Sequence, residues 1–352
     1  MRSCSPEARA CLALQALPGL GDVRIRRLIE EHRSAVAALD FIVAAAGGNT
    51  EAKALGSAAQ QVADAQRSGA SAVSVQDDDY PDRLRELPDA PAVVFARGTL
   101  ESAMPPAVAI VGTRNASGYG LRVAAAIATA CARAGIAVIS GLARGIDAAA
   151  HEATLRHGGR TVAVLGTGID LVYPRGHRGL QERIAQDGLL ITEQMPGDPG
   201  SAGAFPRRNR LIAALADVTV VVEAGEGSGA LITADRALEL GRTVACVPNA
   251  IDVPSARGSN RLHKDHAEPI LSPDDVLALL EMAPGPAHGP ALDGVSAQCW
   301  EAVQHGARTA PDIARATALT LREVTAVLAL LEIDGLVVFD AAGRVCPTVS
   351  AC

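Results

Sequence analysis

Two short glycine-rich turns, each carrying an arginine, contain the residues of this sequence best suited to bind an anion. Residues 112–120 include Arg114, and residues 141–145 include Arg144. Glycine allows tight turns and a close approach of a ligand to the backbone, and free amides at a helix N-terminus bind phosphate. One such turn alone is equally consistent with a plain strand-to-helix connection. Two turns with matching arginines favour an anion site.

The run Arg-Arg-Asn-Arg at positions 207–210 is the strongest local signal of a binding site. Three arginines within one turn of a predicted helix repel one another, by roughly a few tenths of a kcal/mol per pair. An external polyanion would relieve this repulsion, and a guanidinium group binds phosphate in a bidentate way. A solvated charge cluster is the structural alternative. Ser228, Gly229 and Thr233 add hydroxyls and free backbone at another predicted helix N-terminus.

The sequence lacks the motifs that usually accompany catalysis or the binding of metals and cofactors. Neither glycine turn has the G-x-G-x-x-G spacing, and there is no P-loop, no G-x-S-x-G and no H-E-x-x-H. The seven cysteines include no C-x-x-C pair, which argues against a zinc site and favours a reduced, cytoplasmic protein. His151 and Glu152 are interpreted as a surface or capping pair. We therefore expect no enzyme, no cofactor and no metal.

Behind these turns the sequence alternates between apolar strand segments and helical segments, which predicts an α/β fold. Strands are predicted at 107–111, 136–140, 161–165, 189–192, 218–222 and, as the last of the sheet, 243–247. Helices are predicted at 121–134, at 178–187, over a segment ending at 216, and at 230–240. Each glycine-rich or arginine-rich turn follows a strand. Because ligands of such sheets bind at the carboxyl ends of the strands, the turns are expected to lie on one rim.

Smaller predicted units flank this region. The first 45 residues are predicted as short helices, with either a helix-hairpin-helix turn or a plain helix–helix turn at 17–21. The segments that follow are predicted as a loop over 47–57, a helix over 58–68, and short strands at 73–75 and 92–96. A Pro/Gly-rich linker is predicted at 284–294. Helices at 297–304, 311–316 and 321–334 with a hairpin over 336–339 and 343–346 then outline a winged helix.

These patterns divide the chain into a helical domain at 1–70, an α/β domain at 71–283, the linker at 284–294 and a winged-helix domain at 295–352. The third helix of the winged domain begins with Arg322 and Glu323 and continues with Glu332 and Asp334. A reader of DNA sequence needs basic or polar residues at the start of that helix. We therefore expect a protein-contacting or vestigial wing.

Length and composition set further bounds. A chain of 352 residues is long enough for two or three domains, and 49% of its residues are hydrophobic. Its apolar runs are shorter than the ~20 residues that a membrane span needs, and its N-terminus does not have the pattern of a signal peptide. The net charge of −7 argues against nucleic acid when taken alone. The segment 106–271 is slightly basic, however, and nearly all of its positive charge is arginine.

The motifs in this segment resemble those of the DNA-processing A (DprA/Smf) family. The resemblance covers about 160 residues, in order and at the family's spacing. It is carried by AIVGTR at 109–114, SGYG at 117–120, SGLARGID at 140–147, VLGTG at 164–168, FPRRNR at 205–210 and SGALITA at 228–234.

This resemblance implies an extended Rossmann-like fold, with a mostly parallel sheet and helices on both faces, that binds single-stranded DNA as a homodimer. It also implies that the protein protects incoming DNA and loads RecA recombinase onto it in natural transformation, with a single-strand-binding protein as a further partner and no membrane. Tyr173 and Phe205 are the rings available for base stacking, so affinity should come mainly from phosphates. The residues singled out for DNA or phosphate contact are Gly112, Arg114, Ser117, Gly141, Arg144, Gly145, Gly166, Gly168, Tyr173, Arg175, Phe205, Arg207, Arg208, Asn209, Arg210, Ser228, Gly229 and Thr233.

The sequence departs from the family pattern at a few positions. Thr113 stands where serine is usual, Asn249 replaces a glycine, and His263 and Asp265 disturb a usual L-I-x-x-G segment. Together these departures put the last loop of the sheet in doubt, and not the main pocket.

Two other classes of protein remain open. The first is a nucleotide-binding enzyme, a phosphoribohydrolase of the related Lonely-guy type. Its P-G-G-x-G-T-x-x-E motif needs a carboxylate where this chain has Leu231. The second is a transcription regulator that acts through the wing.

Overall fold

The structure is a computed structural model that describes residues 4–46, 50–265, 267–283, 292, 294–333, 336–340 and 343–347. Its centre is a sheet of nine strands within these residues, in the order β1-β2-β6-β5-β4-β3-β7-β8-β9. The strands are β1 (Ser71–Ser74), β2 (Val93–Gly98), β3 (Ala107–Val111), β4 (Ala137–Ser140), β5 (Thr161–Val164), β6 (Leu189–Thr192), β7 (Val218–Val221), β8 (Thr243–Cys246) and β9 (Glu268–Pro269).

The sheet is mostly parallel, as predicted. Only β2 runs antiparallel to its neighbours, β1 on one side and β6 on the other. From β3 the chain winds outward through β4 and β5 to β6, and it then returns to place β7 on the other side of β3. The direction of winding therefore reverses between β3 and β7, which makes the carboxyl ends of these two strands the switch point where doubly wound sheets bind ligands.

Helices cover both faces of the sheet. The α-helices up to residue 278 are α1 (Pro6–Gln15), α2 (Asp22–His32), α3 (Ala35–Ala46), α4 (Thr50–Arg67), α5 (Asp82–Arg85), α6 (Gly118–Arg133), α7 (Ile146–Arg156), α8 (Arg178–Asp187), α9 (Ala204–Leu215), α10 (Gly229–Glu239), α11 (Arg257–Leu262) and α12 (Pro273–Ala278). Short 3₁₀ helices lie at Leu100–Ala103, Arg175–His177, Pro254–Ala256 and His263–Asp265. Among the described helices, none combines the length and the apolar character needed to cross a membrane.

The central strand β3 contributes to two hydrophobic clusters through alternate residues. Ile110 packs in a cluster with Ile127 of α6 and Ile146 of α7. Ala109 belongs to the opposite cluster, which includes Leu211 of α9. Successive side chains of a strand point to opposite faces, so a strand buried on both faces must be apolar throughout, as the AVAIV sequence of β3 is.

A winged-helix unit follows, as predicted. It consists of α13 (Gly294–Gln304), α14 (Ala310–Thr317), α15 (Leu321–Ile333) and an antiparallel hairpin of β10 (Val337–Phe339) and β11 (Val345–Pro347). Trp300, Ile313 and Leu328 lie in its separate hydrophobic cluster. The predicted linker at 284–294 falls almost entirely outside the described residues. The domain boundaries at 70, 283 and 294 stay a prediction.

Two expectations about secondary structure are wrong. The strand at 243–247 is not the last of the sheet, because β9 pairs with β8 through Ala245 and Cys246. A strand of two residues that includes a proline has no recognisable sequence pattern. The segment 47–57 is not a loop from residue 50 onward, because α4 begins at Thr50. Its buried residues Ala54 and Ala58 lie in the same hydrophobic cluster as α1, and this tertiary contact outweighs the low helix propensity of Gly56.

Ile110 offers a test of this central layer. Its side chain is fully buried in β3, so Ile110→Ala should lower the free energy of unfolding by about 2–5 kcal/mol. The control Ile251→Ala removes a side chain that is 91% exposed and should change stability by less than about 0.5 kcal/mol. Denaturant titrations of both variants measure the difference. Equal stabilities would contradict the central position of β3.

Candidate nucleic-acid interface

A cavity of about 750 Å³ opens at the switch point. Its walls come from the turn after β3, the turn after β4, the start of α9 and the turn after β7. A second cavity of about 410 Å³ lies next to it, between the turns after β4 and β5. Both cavities lie on the side of the sheet where the parallel strands end, which we call the carboxyl rim. The two cavities share Arg114, Ala143, Tyr173, Phe205 and Arg208.

Most of the residues predicted from the sequence lie at this rim. Those that line one or both cavities are Gly112, Arg114, Gly141, Arg144, Gly166, Tyr173, Phe205, Arg208, Asn209, Ser228, Gly229 and Thr233. Those that line neither cavity are Ser117, Gly145, Gly168, Arg175, Arg207 and Arg210.

Two aromatic rings stand between the cavities. The centroids of Tyr173 and Phe205 are 5.1 Å apart, and the rings are tilted by 42°. The guanidinium carbon of Arg114 lies 5.9 Å from the Phe205 centroid, within the range of a cation–π contact. A Cβ atom at Gly166 would come within 2.6 Å of the Phe205 ring, so glycine is needed there to leave room for the ring. Tyr173 remains 47% exposed and accessible to a ligand.

Arg208 is buried and fastens three turns of the rim together. Its Nη1 donates to the carbonyl oxygens of Gly141 and Val164, at the ends of β4 and β5. Its Nε donates to Oδ1 of Asn209 at 3.2 Å, and Nδ2 of Asn209 donates to the Gly229 carbonyl oxygen at 3.0 Å. Burial lowers the pKa of Arg208 to about 10, so the guanidinium keeps its charge at neutral pH.

Asp147 faces Arg208 and shapes the turn at 141–145. Its Oδ2 accepts hydrogen bonds from the amides of Gly141 at 3.1 Å and Ala143 at 3.2 Å. Burial raises the pKa of the Asp147 carboxyl, and the positive charge of Arg208 opposes that rise. The sequence did not predict a role for Asp147 itself. An acidic residue in the first turn of a helix that follows a glycine turn is the signal that could have indicated one.

Gly145 completes this turn. Its φ of +80° is strained for any residue with a side chain, and a Cβ atom there would lie 2.3 Å from the Thr113 carbonyl oxygen. The two glycine turns therefore touch at this point, and Gly145 serves their packing.

Internal carboxylates neutralise the other two arginines of the 207–210 run. Arg210 is paired with Glu193 at 2.8 Å and with Asp89 at 2.7 Å. Burial alone would lower the pKa of Arg210, but these two carboxylates raise it. Arg207 is half exposed and contacts Asp22 at 3.0 Å and Glu193 at 3.4 Å. The mutual repulsion of the run is thus relieved within the protein, without an external polyanion.

Three further arginines are free of such partners. Arg114, Arg144 and Arg175 are exposed, and none of them forms a hydrogen bond or an ion pair with a described residue. A hydrogen bond of 3.1 Å between the Leu142 carbonyl oxygen and Nδ1 of His177 connects the turn that carries Arg144 to the turn that carries Arg175. Their guanidinium groups are available to a ligand.

Ser117 and Gly168 have structural contacts. The Ser117 hydroxyl accepts from the Gly120 amide at 3.0 Å, which caps α6, and it donates to Oε2 of Glu223 at 2.6 Å. A Cβ atom at Gly168 would lie 2.6 Å from the Met195 carbonyl oxygen, so this glycine permits close packing of two loops.

His151 is fully buried, so its interpretation as a surface residue is wrong. The Thr161 hydroxyl donates to the Val138 carbonyl oxygen, so it must accept from Nδ1 of His151, 2.7 Å away. Burial, with the nearby charges of His177 and Arg208, lowers the pKa of His151 to about 3. The imidazole is therefore neutral in the folded protein at ordinary pH.

A doubly wound sheet with arginines and aromatic rings around its switch point defines a Rossmann-like fold with a candidate site for an anionic ligand. The chain belongs to the family of the DNA recombination-mediator protein A. The model of that family matches residues 71–281, and the model of the DprA winged helix domain matches residues 282–343. The resemblance inferred from the motifs is confirmed.

Known relatives agree with this membership. Protein Smf from Synechocystis sp. is 45% identical over 212 residues, which cover 59% of this chain and 53% of that protein. The match thus spans about half of that relative's length. The structure of DNA processing protein A from Streptococcus pneumoniae matches with a TM-score of 0.65 and 33% identity, over 78% of this chain and 98% of that one.

A second solved structure belongs to a relative that binds single-stranded DNA. DNA processing protein A from Helicobacter pylori was solved in a study of its single-stranded DNA binding mode. It matches with a TM-score of 0.55 and 28% identity, over 60% of this chain and 95% of that one.

The contacts of Arg208 predict a large effect on stability. Arg208→Met leaves the buried Asp147 without its nearby positive charge and two carbonyl oxygens without donors, so the free energy of unfolding should fall by about 3–5 kcal/mol. The double variant Arg208→Met/Asp147→Asn should recover part of this loss. Denaturant unfolding measures both. A double variant as unstable as the sum of the two single variants would show that the charges are not coupled.

The buried imidazole predicts a dependence of stability on pH. The pKa of His151 is depressed in the folded state, so its contribution is present above about pH 6.5 and lost as the pH falls towards 3. In this range the wild type should lose up to about 1.4 kcal/mol per pH unit more than His151→Leu. Thr154→Val, a neutral change in the same helix, should keep the wild-type slope. Parallel slopes for the wild type and His151→Leu would contradict the depressed pKa.

Proposed function

We propose that this chain binds single-stranded DNA along the carboxyl rim. The observation that carries the proposal is that Arg114, Arg144 and Arg175 are exposed and unpaired among the described residues. The arginines at 207, 208 and 210 are instead engaged within the protein. The free side chains would contact phosphates, and the engaged ones would hold the rim in shape. The similarity to the Helicobacter pylori protein supports single-stranded DNA as the ligand.

The aromatic pair favours a single strand over a duplex. Tyr173 and Phe205 lie beside Arg114, so a base could stack on a ring while its phosphate meets the guanidinium. In a duplex the base faces are already stacked on their neighbours and are not available. Because aromatic residues are only 2% of the chain, most of the affinity would come from phosphate contacts, which weaken as salt concentration rises.

The backbone at the start of α10 would add a further phosphate contact. Ser228 is the N-cap of this helix, and both Ser228 and Gly229 line the larger cavity. Free amides and the helix dipole favour an anion at such a position. A DNA strand that runs along the carboxyl rim would therefore meet the exposed arginines at one end of the rim and the α10 amides at the other.

We propose that the bound strand is protected and passed to RecA recombinase during natural transformation in the cytoplasm, with a single-strand-binding protein as a further partner. The description of the family as a recombination mediator supports this role. The protein would act as a homodimer. A second copy would cover Leu271, which is 79% exposed beside the edge strand β9.

We propose a binding protein and not a phosphoribohydrolase. Both oxygens of Glu223, the acidic residue that follows β7, are occupied by hydrogen bonds to Ser117 and Ser255. Leu231 stands where the enzyme family has its carboxylate. Release of free base from nucleoside monophosphates would contradict this proposal.

The free arginines provide the main test. Arg114→Ala should weaken the binding of a single-stranded oligonucleotide by about 1–3 kcal/mol, the range of a charge-assisted contact. It should also reduce the slope of log K against log salt concentration by about 0.7, because one phosphate contact is lost. Fluorescence anisotropy in a salt series measures both quantities.

The matched control is Arg156→Ala. Arg156 is also exposed and unpaired among the described residues. It lies at the C-terminal end of α7, however, at the rim of the sheet opposite to the carboxyl rim. Its loss should leave affinity and salt slope nearly unchanged. Equal effects of the two substitutions would show that binding follows net charge and not the carboxyl rim.

A further inference from the structure

The carboxylate of Glu223 reaches from the end of β7 across the switch point to the start of α6. Its Oε2 accepts from the Ser117 amide at 3.1 Å and from the Ser117 hydroxyl at 2.6 Å. Its Oε1 accepts from the Ser255 hydroxyl at 2.5 Å. The side chain is fully buried. One carboxylate thus joins the turns that follow three neighbouring strands, β3, β7 and β8.

The position that this carboxylate occupies has a known use in related architectures. In a doubly wound sheet that binds a dinucleotide, the pyrophosphate lies at the N-terminus of the helix that follows the first central strand. In this chain that strand is β3 and that helix is α6. Ser117 is the N-cap of α6, and its amide and hydroxyl are the donors that an incoming phosphate would use.

The Glu223 carboxylate lies tightly against the start of α6 and obstructs the approach of a second anion there. A Cβ atom at Gly120 would lie only 2.4 Å from Oε2, so the carboxylate is packed directly against the backbone of the first turn of α6. A phosphate placed there would also have to approach a buried group of the same charge, where repulsion is strong because little water screens it.

We propose that Glu223 is a specificity-determining residue that fills the phosphate position of α6 with its own carboxylate and so excludes free nucleotides from the switch point. This inference rests on the proposed function, since it explains how the rim selects a polynucleotide. Anion binding is displaced from the α6 terminus to exposed groups such as Arg114. A mononucleotide reaches few of these exposed groups at once. A strand crosses several of them and gains affinity from each contact.

The test removes the Glu223 carboxylate by substitution and supplies phosphate from solution. Thermal unfolding of the full chain is followed in sodium phosphate and in sodium chloride of equal ionic strength. Glu223→Ala should gain a saturable, phosphate-specific rise in its midpoint, because a ligand that binds only the folded state stabilises it. The wild type and Ser255→Ala, in which the carboxylate stays in place, should show no such rise. Glu223→Ala/Ser117→Ala should lose it, because the hydroxyl donor is gone.

A Glu223→Ala variant that folds and responds to phosphate no more than the wild type would overturn the inference. If that variant does not fold, Glu223→Ser replaces it, because serine also vacates the carboxylate position and keeps a polar group in a polar site. Adenosine 5′-monophosphate should then raise the midpoint of Glu223→Ser and not that of the wild type, and equal responses would overturn the inference. Binding of an oligonucleotide to the wild type is measured separately, so a failure of the proposed function would be distinguished from a failure of this inference.

Discussion

The carboxyl rim depends on two opposite charges that are buried on either side of Gly141. Arg208 binds the carbonyl oxygens at the ends of β4 and β5, and Asp147 binds the amides of the turn between them. A Cβ atom at Gly141 would lie 2.6 Å from the guanidinium and 2.9 Å from the carboxylate, so only glycine fits between the charges. Because a buried charge without a partner is costly, this arrangement permits one conformation of the turn.

The arginines of the rim fall into two groups that differ in burial. Arg208 and Arg210 are buried, and each is balanced by carboxylates or carbonyl oxygens of the protein. Arg114, Arg144 and Arg175 are exposed on the turns that the buried arginines hold in place. The buried arginines are already ordered before a ligand binds, and the exposed arginines keep their full hydrogen-bonding capacity. A DNA strand bound as proposed would meet a preformed surface, which reduces the entropy lost on association.

Much of the fold could be predicted because its strands are buried on both faces. The bounds of β3 and β6 agree with the sequence pattern, since a short, mostly apolar run bounded by proline or glycine has few other interpretations. β9 was missed because its pairing with β8 comes from the path of the chain and not from its own two residues. The start of α4 was missed because the beginning of this helix is stabilised by the burial of small alanines against α1. Alanine alone does not indicate which face of a helix is buried.

For the binding site, the sequence by itself determined which turns meet at the rim, because parallel strands bring all their carboxyl ends to one edge. It also identified the arginines. Only the tertiary structure decided which of them are free. The partners Asp22 and Asp89 lie 185 residues from Arg207 and 121 residues from Arg210 along the chain, and Glu193 lies on the turn after β6. Charge pairing depends on distances of a few ångströms between such segments, and no local pattern records them.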